Sequence, residues 1–258
     1  MTLNLSKLRT NSAATIVLFV TIFSCQTSNT PTISSKGFEP IFDGNSLQDW
    51  EGDPTYWRVE DGALVGEVTP STLLKRNTFI IWRGGITKDF EFKTEYMITE
   101  DGNSGINYRS EEVAGVPFAL AGYQCDIDGK NRYTGMNYEE RKRTTLANPG
   151  KVVVLENVPA AGKALSENIA QNQWKPATET GVTGNIDQLK AQIKPNVWNQ
   201  VHIIVQGNRM RHFVNGNLMS DVTDKDTVNQ KLSGLLGVQV HVGPPMRIAY
   251  RNMMLKHL

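Results

Sequence analysis

Cysteine is almost absent: Cys25 and Cys125 are the only two in 258 residues. That excludes a disulfide-stapled fold and leaves stability to a packed core. Neither sign of charge is in excess, with 27 Lys and Arg against 26 Asp and Glu and a formal net charge of +1. No broad field favours nucleic acid or an anionic surface, so a neutral partner is expected. No apolar run reaches the roughly 20 residues of a bilayer-spanning helix. A phosphate-binding glycine loop, a dinucleotide fingerprint and a His-Glu-x-x-His pair are all missing. The four histidines, His202, His212, His241 and His257, lack metal-ligand spacing within any one element, which argues against structural zinc. Heptads and internal repeats of fixed period are absent as well.

What is present begins with an unusual N-terminus. Lys7 and Arg9 precede a short apolar run, Ala13 to Phe23, of the length of a signal-peptide core. The run ends in Ile22-Phe23-Ser24-Cys25, which resembles the lipobox of bacterial lipoproteins. That resemblance implies acylation at Cys25 and a periplasmic or outer-membrane-attached lipoprotein that meets the membrane through its lipid alone. An ordinary cleaved signal with Cys25 incidental is the other reading, and both take the chain out of the cytoplasm. Residues 1–25 are thus read as signal peptide with lipobox. Residues 26–36, rich in Ser, Thr and Pro, read as a flexible tether, and 37–258 as one folded domain. With Cys25 lipidated, Cys125 has no intramolecular partner and reads as a small buried hydrophobe.

The domain reads as strands. Turn pairs recur at Asp43-Gly44, Asp61-Gly62, Gly84-Gly85, Asp101-Gly102 and Asn215-Gly216. Between Asp89 and Thr99, Phe90, Phe92, Thr94, Tyr96 and Ile98 alternate with Glu91, Lys93, Glu95 and Met97, a period of two that no amphipathic helix shows. Val201, Ile203 and Val205, and later Leu236, Val238 and Val240, repeat the pattern. Two stretches break it: Glu139 to Gly150 reads as a long charged loop, and Asn185 to Ile193 as a short helix. The expected architecture is all-β, two antiparallel sheets packed face to face.

One strand carries both kinds of face. In Gly122 to Asp128, Tyr123, Cys125 and Ile127 point one way and Gln124, Asp126 and Asp128 the other. Either the polar face lines a groove, or Asp126 and Asp128 only shape the turn at Asp128-Gly129. Asn107 with Arg109, and Gln239 with His241, share faces in the same manner. A carboxylate, a guanidinium, an imidazole and amides on one sheet would suit sugar binding and acid/base work. Singly each has a structural reading: a histidine hydrogen-bonded in place, or Arg109 paired with Glu111. The Glu139–Arg143 cluster is either a solvated loop or a lid from which Glu140 or Arg141 reaches a ligand. Trp50, Trp57 and Trp82 read as core anchors before stacking platforms.

The ordered stretches Phe42-Asp43-Gly44-Asn45-Ser46-Leu47, Trp57 to Gly66, Thr78 to Gly85, Asn103 to Arg109, Gly122 to Asp128, Tyr138 to Arg141, Gly237 to His241 and Arg251-Asn252 resemble the bacterial 3-keto-disaccharide hydrolases. The resemblance implies a concanavalin-like jelly-roll sandwich with its site on the concave sheet, and an exported enzyme cleaving glycosides oxidised at C3. A 3-keto group acidifies the C2 proton, so one base and donors for the enolate oxygen suffice, without the opposed carboxylates of ordinary glycosidases. Asp126 or His241 would be the base, Arg109 and Gln239 the donors, and Gln124 a hydroxyl partner, with Asn107, Glu140 and Arg141 also at the sugar. This chain has Gln124 then Asp126 where many relatives have Glu then Gln, which leaves the base open. No cofactor is demanded, although a divalent cation held partly by Asp126 is compatible. A non-catalytic lectin-like module is the competing class. The segment from Lys151 to Pro195 matches little of the family pattern, so the resemblance carries no substrate preference, and no sequence signal bears on oligomeric state.

Overall fold

Period-two alternation decides the architecture. In Phe90–Ile98 every second residue is buried and the intervening ones are half-exposed, so this strand lies with one face on a core. The computed structural model describes residues 36–157, 166–167 and 170–258. The expected signal segment, Cys25 and all of the tether but Lys36 lie outside the described residues. Among those described, no helix is long and apolar enough to cross a membrane.

Two sheets form among the described residues. The ten-stranded sheet runs Ala177–Val182, Lys151–Leu155, Asn217–Asp224, Arg209–Val214, Asn199–Gln206, Phe90–Ile98, Met246–His257, Ala63–Val68, Trp57–Glu60, with Glu39–Pro40 paired to the Met246 strand. The seven-stranded sheet runs Thr144–Ala147, Asn137–Glu140, Leu120–Asp128, Asn103–Glu112, Gly234–Val240, Thr78–Thr87, Trp50–Glu51. Pairing is antiparallel except between Lys151–Leu155 and Asn217–Asp224. The fold is therefore an all-β sandwich of two sheets, as the alternation implies, and of the jelly-roll type that the resemblance implies. The short helix is present too, at Ile186–Ala191, with the Asn185 side chain capping Asp187 N and Gln188 N.

The core fills the space between the sheets. Ile106, Tyr108, Tyr123, Cys125, Ile127, Val238 and Val240 meet Phe90, Phe92, Tyr96, Val201, Ile203 and Val205. Cys125 is fully buried with a free thiol, and burial pushes its pKa up, which suits the hydrophobe reading. Trp50, Trp57 and Trp82 all belong to this core, so none offers a stacking face.

The Glu139–Gly150 stretch departs from the expected loop. Asn137–Glu140 and Thr144–Ala147 pair as a hairpin at the sheet edge. Its charges are buried rather than solvated: Arg143 bonds Glu139 at 2.6 Å, Asp224 at 2.6 Å and Asp226 at 3.4 Å, all four essentially inaccessible. The Tyr123 hydroxyl donates to Asp224 at 2.6 Å, and backbone N–H groups of Val228 and Asn229 complete Asp226. A solvated reading failed because Asp224 and Asp226 lie some eighty positions further along the chain. Arg143→Met leaves three carboxylates buried around no cation and is expected to cost about 3–5 kcal/mol in chemical denaturation. Arg143→Lys, which keeps the charge but not the planar fork, should cost less.

Candidate active site

The face of the seven-stranded sheet turned away from the core carries the polar residues. Register places them together: Gly105 opposite Asp126, Asn107 opposite Gln124, Tyr138 opposite Gln124 and Glu140 opposite Gly122. Directly paired residues share a face, so Asp126, Gln124, Tyr138 and Glu140 project from adjacent strands to one side. There they border a groove of about 740 Å³, together with Asn77, Asn103, Arg141 and His241.

Gly105 organises the floor. A Cβ at that position would run into the Gln124 amide, so glycine lets the Gln124 side chain lie flat across its neighbour strand. Gln239 Nε2 then donates to Gln124 Oε1 at 3.2 Å, and Gln124 Nε2 donates to Asp126 Oδ1 at 2.6 Å. This relay fixes the direction of the Asp126 carboxyl. Burial, reinforced by the charges of Glu140 and Asp128, pushes the Asp126 pKa well above the carboxylate range, against the opposing Gln124 bond. Glu140 is raised by burial too, opposed by Asn77 Nδ2 at 3.2 Å and by Arg141.

His241 is tuned the other way. Burial lowers its pKa, against its own bond to the Val242 carbonyl at 2.6 Å. That bond makes Nδ1 the donor of the neutral ring, so Nε2 carries the free lone pair. Asn77 ties the histidine to the carboxyls: its Oδ1 accepts the Val242 N–H at 3.0 Å while its Nδ2 reaches Glu140.

Of the residues expected at the site, Asp126, Gln124, Glu140, Arg141 and His241 line the groove. Arg109 does not. A bulge between Tyr108 and Glu111, with Arg109 at φ 45°, breaks the alternation that would have placed it beside Asn107. Its guanidinium instead bonds the Lys88 carbonyl at 2.8 Å, the Gly207 carbonyl at 2.8 Å and Asp89 at 2.9 Å, almost wholly buried. It clamps turns between strands and has no access to a ligand, so Arg141 is the guanidinium at the groove. Gln239 and Asn107 sit on the expected face but are fully buried, so they support Gln124 and Ser110 rather than touching a sugar. Asp128 follows the turn reading: it accepts the N–H groups of Arg132, Tyr133 and Thr134 at 2.7–3.0 Å.

Sequence reasoning missed Asn77, Asn103, Tyr133 and Tyr138 as groove residues, and also Gln171, Asn172 and Gln173 of the unmatched segment. The run of three amides at 171–173 was the available signal. Among the described residues no three His, Cys, Asp or Glu side chains converge as metal ligands. Asp126, Glu140 and His241 share the groove without forming a cage, and this donor set does not fit a divalent cation held by Asp126.

Comparison with known proteins places this arrangement. The fold is similar to a Parabacteroides distasonis ATCC 8503 protein provisionally named a glycosyl hydrolase, at 14% identity and TM-score 0.56, over 86% of this chain and 99% of that one. A second protein from that organism under the same provisional name aligns at 17% identity and TM-score 0.51, over 87% and 95% of the two chains. Identities at that level show shared fold alone. No curated protein sequence matches. The model of the 3-keto-alpha-glucoside-1,2-lyase-like domain, however, matches residues 37–256. The chain therefore belongs to the 3-keto-alpha-glucoside-1,2-lyase-like family, a carbohydrate-active group.

Proposed function

We propose that the groove cleaves glycosides oxidised at C3 by elimination followed by hydration. The observation that carries this reading is the opposite tuning of groups on one face: a histidine held neutral with Nε2 free, beside two carboxyls held toward their protonated forms. Pushing titratable groups apart in this way assigns base and acid. A module that only binds a neutral sugar needs no such tuning.

His241 Nε2 removes the C2 proton, and the electron pair forms an enolate on the C3 oxygen. As the C3 carbonyl returns, a C1=C2 bond forms and the C1 oxygen leaves, taking a proton from the Asp126–Glu140 pair. Water then adds at C1, its proton restoring the carboxyl, while C2 recovers its proton from the imidazolium. Arg141 and the Asn77 and Asn103 amides supply the cation and donors at the groove for the enolate and ring hydroxyls. Asp126, an alternative base by sequence, is better suited by its burial to holding the proton. We extend the proposal to the N-terminus: export and lipid attachment at Cys25, on the strength of Lys7, Arg9 and the Ile22-Phe23-Ser24-Cys25 run.

Purified protein given a 3-keto-disaccharide and its unoxidised parent should release monosaccharide from the keto form alone. Binding of both without product would make the protein a lectin. The rate should follow a bell in pH whose acid limb is displaced downward from the ordinary histidine value of about 6.5, because burial lowers His241, and whose alkaline limb is displaced upward from the ordinary carboxylate value of about 4, because burial raises Asp126 and Glu140.

Asp126→Asn should lower kcat by about 10²–10⁴ while raising thermal stability at neutral pH. The sign follows from the raised folded pKa. The native state's preference for the protonated carboxyl stabilises fully below about pH 4 and is lost as pH rises toward the folded value, a loss the amide does not suffer. Melts from about pH 4 to about pH 8 should show the variant's advantage growing with pH, and a constant or shrinking gap would contradict the assignment.

Mass spectrometry of the mature protein should find an acylated N-terminus at Cys25, and an unmodified start beyond it would end the lipoprotein reading.

A further inference from the structure

A second cleft of about 350 Å³ adjoins the Asp126 groove. His241, Asn103 and Tyr133 line both, so the two are arms of one binding surface that meet at the imidazole. The geometry points to the second arm as the subsite for the leaving group, taking a neutral, hydroxyl-rich ring such as a second sugar. This rests on the proposed cleavage reaction and names the part of the substrate that the Asp126 groove leaves unassigned.

Three features support it. The arm is amphipathic in the manner of a sugar ring: Val242, Pro244 and Met246 give it apolar surface, and Glu100 and Asn103 give it polar atoms. Its charges carry no cationic excess, Glu100, Asp101 and Asp128 standing against Lys130 and Arg132, with Lys130 paired to Asp101 at 2.6 Å and Asp128 taken up by backbone N–H groups. An anionic leaving group would meet no net positive field there. The arm is also preformed. Asp128, nearly buried, holds the 130–134 loop through three backbone N–H groups, and the loop is tied from outside by Lys190 Nζ to the Arg132 carbonyl at 3.0 Å and by Asn131 Nδ2 to the Lys190 carbonyl. The chemistry fixes the polarity. Acid and base converge in the Asp126 arm, where the oxidised ring must lie, and His241 stands at the junction, beside the bond to be broken.

The test compares two substrates on two proteins. Glu100 is exposed, has no ion-pair partner among the described residues and lines only the second arm, so Glu100→Trp plugs that arm without touching the acid, the base or Asn77. For a 3-keto-disaccharide, kcat/KM should fall about tenfold or more in Glu100→Trp. For methyl 3-keto-glucoside, whose leaving group is too small to need the arm, it should stay within about twofold. Equal losses on both substrates, or none on either, overturn the subsite. Failure of the wild-type protein to turn over either substrate is a failure of the proposed reaction instead. A binding measurement then decides the subsite: in amide NMR, a 3-keto-disaccharide should shift Asp101, Gly102 and Gly243, whereas methyl 3-keto-glucoside should shift only residues of the Asp126 arm. Identical shift patterns for the two sugars would refute the assignment independently of turnover.

Discussion

The two-faced alternation of Leu120–Asp128 is the constraint on which the rest depends. Its inner residues, Tyr123, Cys125 and Ile127, are sealed in the core, and its outer residues, Gln124 and Asp126, floor the groove. Because a strand cannot rotate one face without the other, packing of Tyr123, Cys125 and Ile127 sets the position of the Asp126 carboxyl on the opposite face. Tyr123 is itself held by Asp224 and Arg143, which reach it from the opposite sheet and from the hairpin that carries Glu140. One buried ion cluster thus anchors the floor and one wall of the site together. Building a site on strands rather than on loops holds its groups to small tolerances.

Such placement is bought with native-state strain of an electrostatic kind. Burial raises both Asp126 and Glu140, and the Glu140 charge raises Asp126 further, so the folded protein disfavours ionising the pair. The amide relay from Gln239 and Gln124 eases this only in part, and among the described residues Gln239 Oε1 and the neighbouring Asn107 Oδ1 have no hydrogen-bond partner. These orphan oxygens lie on the same polar face, where a core of apolar residues would have packed without such loss.

Legibility from sequence followed the range of the interactions involved. Strands with a strict period, such as Phe90–Ile98, were readable because alternation is local, and so was the Asn185-capped helix. The Asp126, Gln124 and His241 set was readable for the same reason, since each lies on a strand, or just past its end, with a clean inside and outside. Arg109 was not, because a single left-handed residue resets the parity and nothing in Tyr108-Arg109-Ser110 announces the bulge. The Glu139–Arg143 hairpin was hidden because the carboxylates that neutralise Arg143 come from a strand end far along the chain. Asn77 was hidden because its value lies in two partners on other elements, Glu140 and the Val242 peptide, and an isolated asparagine ahead of a strand carries no such mark.

The ends of the sheets carry a consequence for behaviour in concentrated surroundings. An open strand edge is a template on which another chain can add. Among the described residues four of the five edges are blunt: Glu39–Pro40 and Trp50–Glu51 have two residues each, and Trp57–Glu60 and Thr144–Ala147 have four each. The fifth, Ala177–Val182, is longer and more exposed, but its pairing slips between Val152 and Val153 and it presents Glu179. A register slip and a charge on the one long edge deny a second copy the flat ladder it would need, so the all-β chain keeps its many unpaired backbone groups from becoming a route to aggregation.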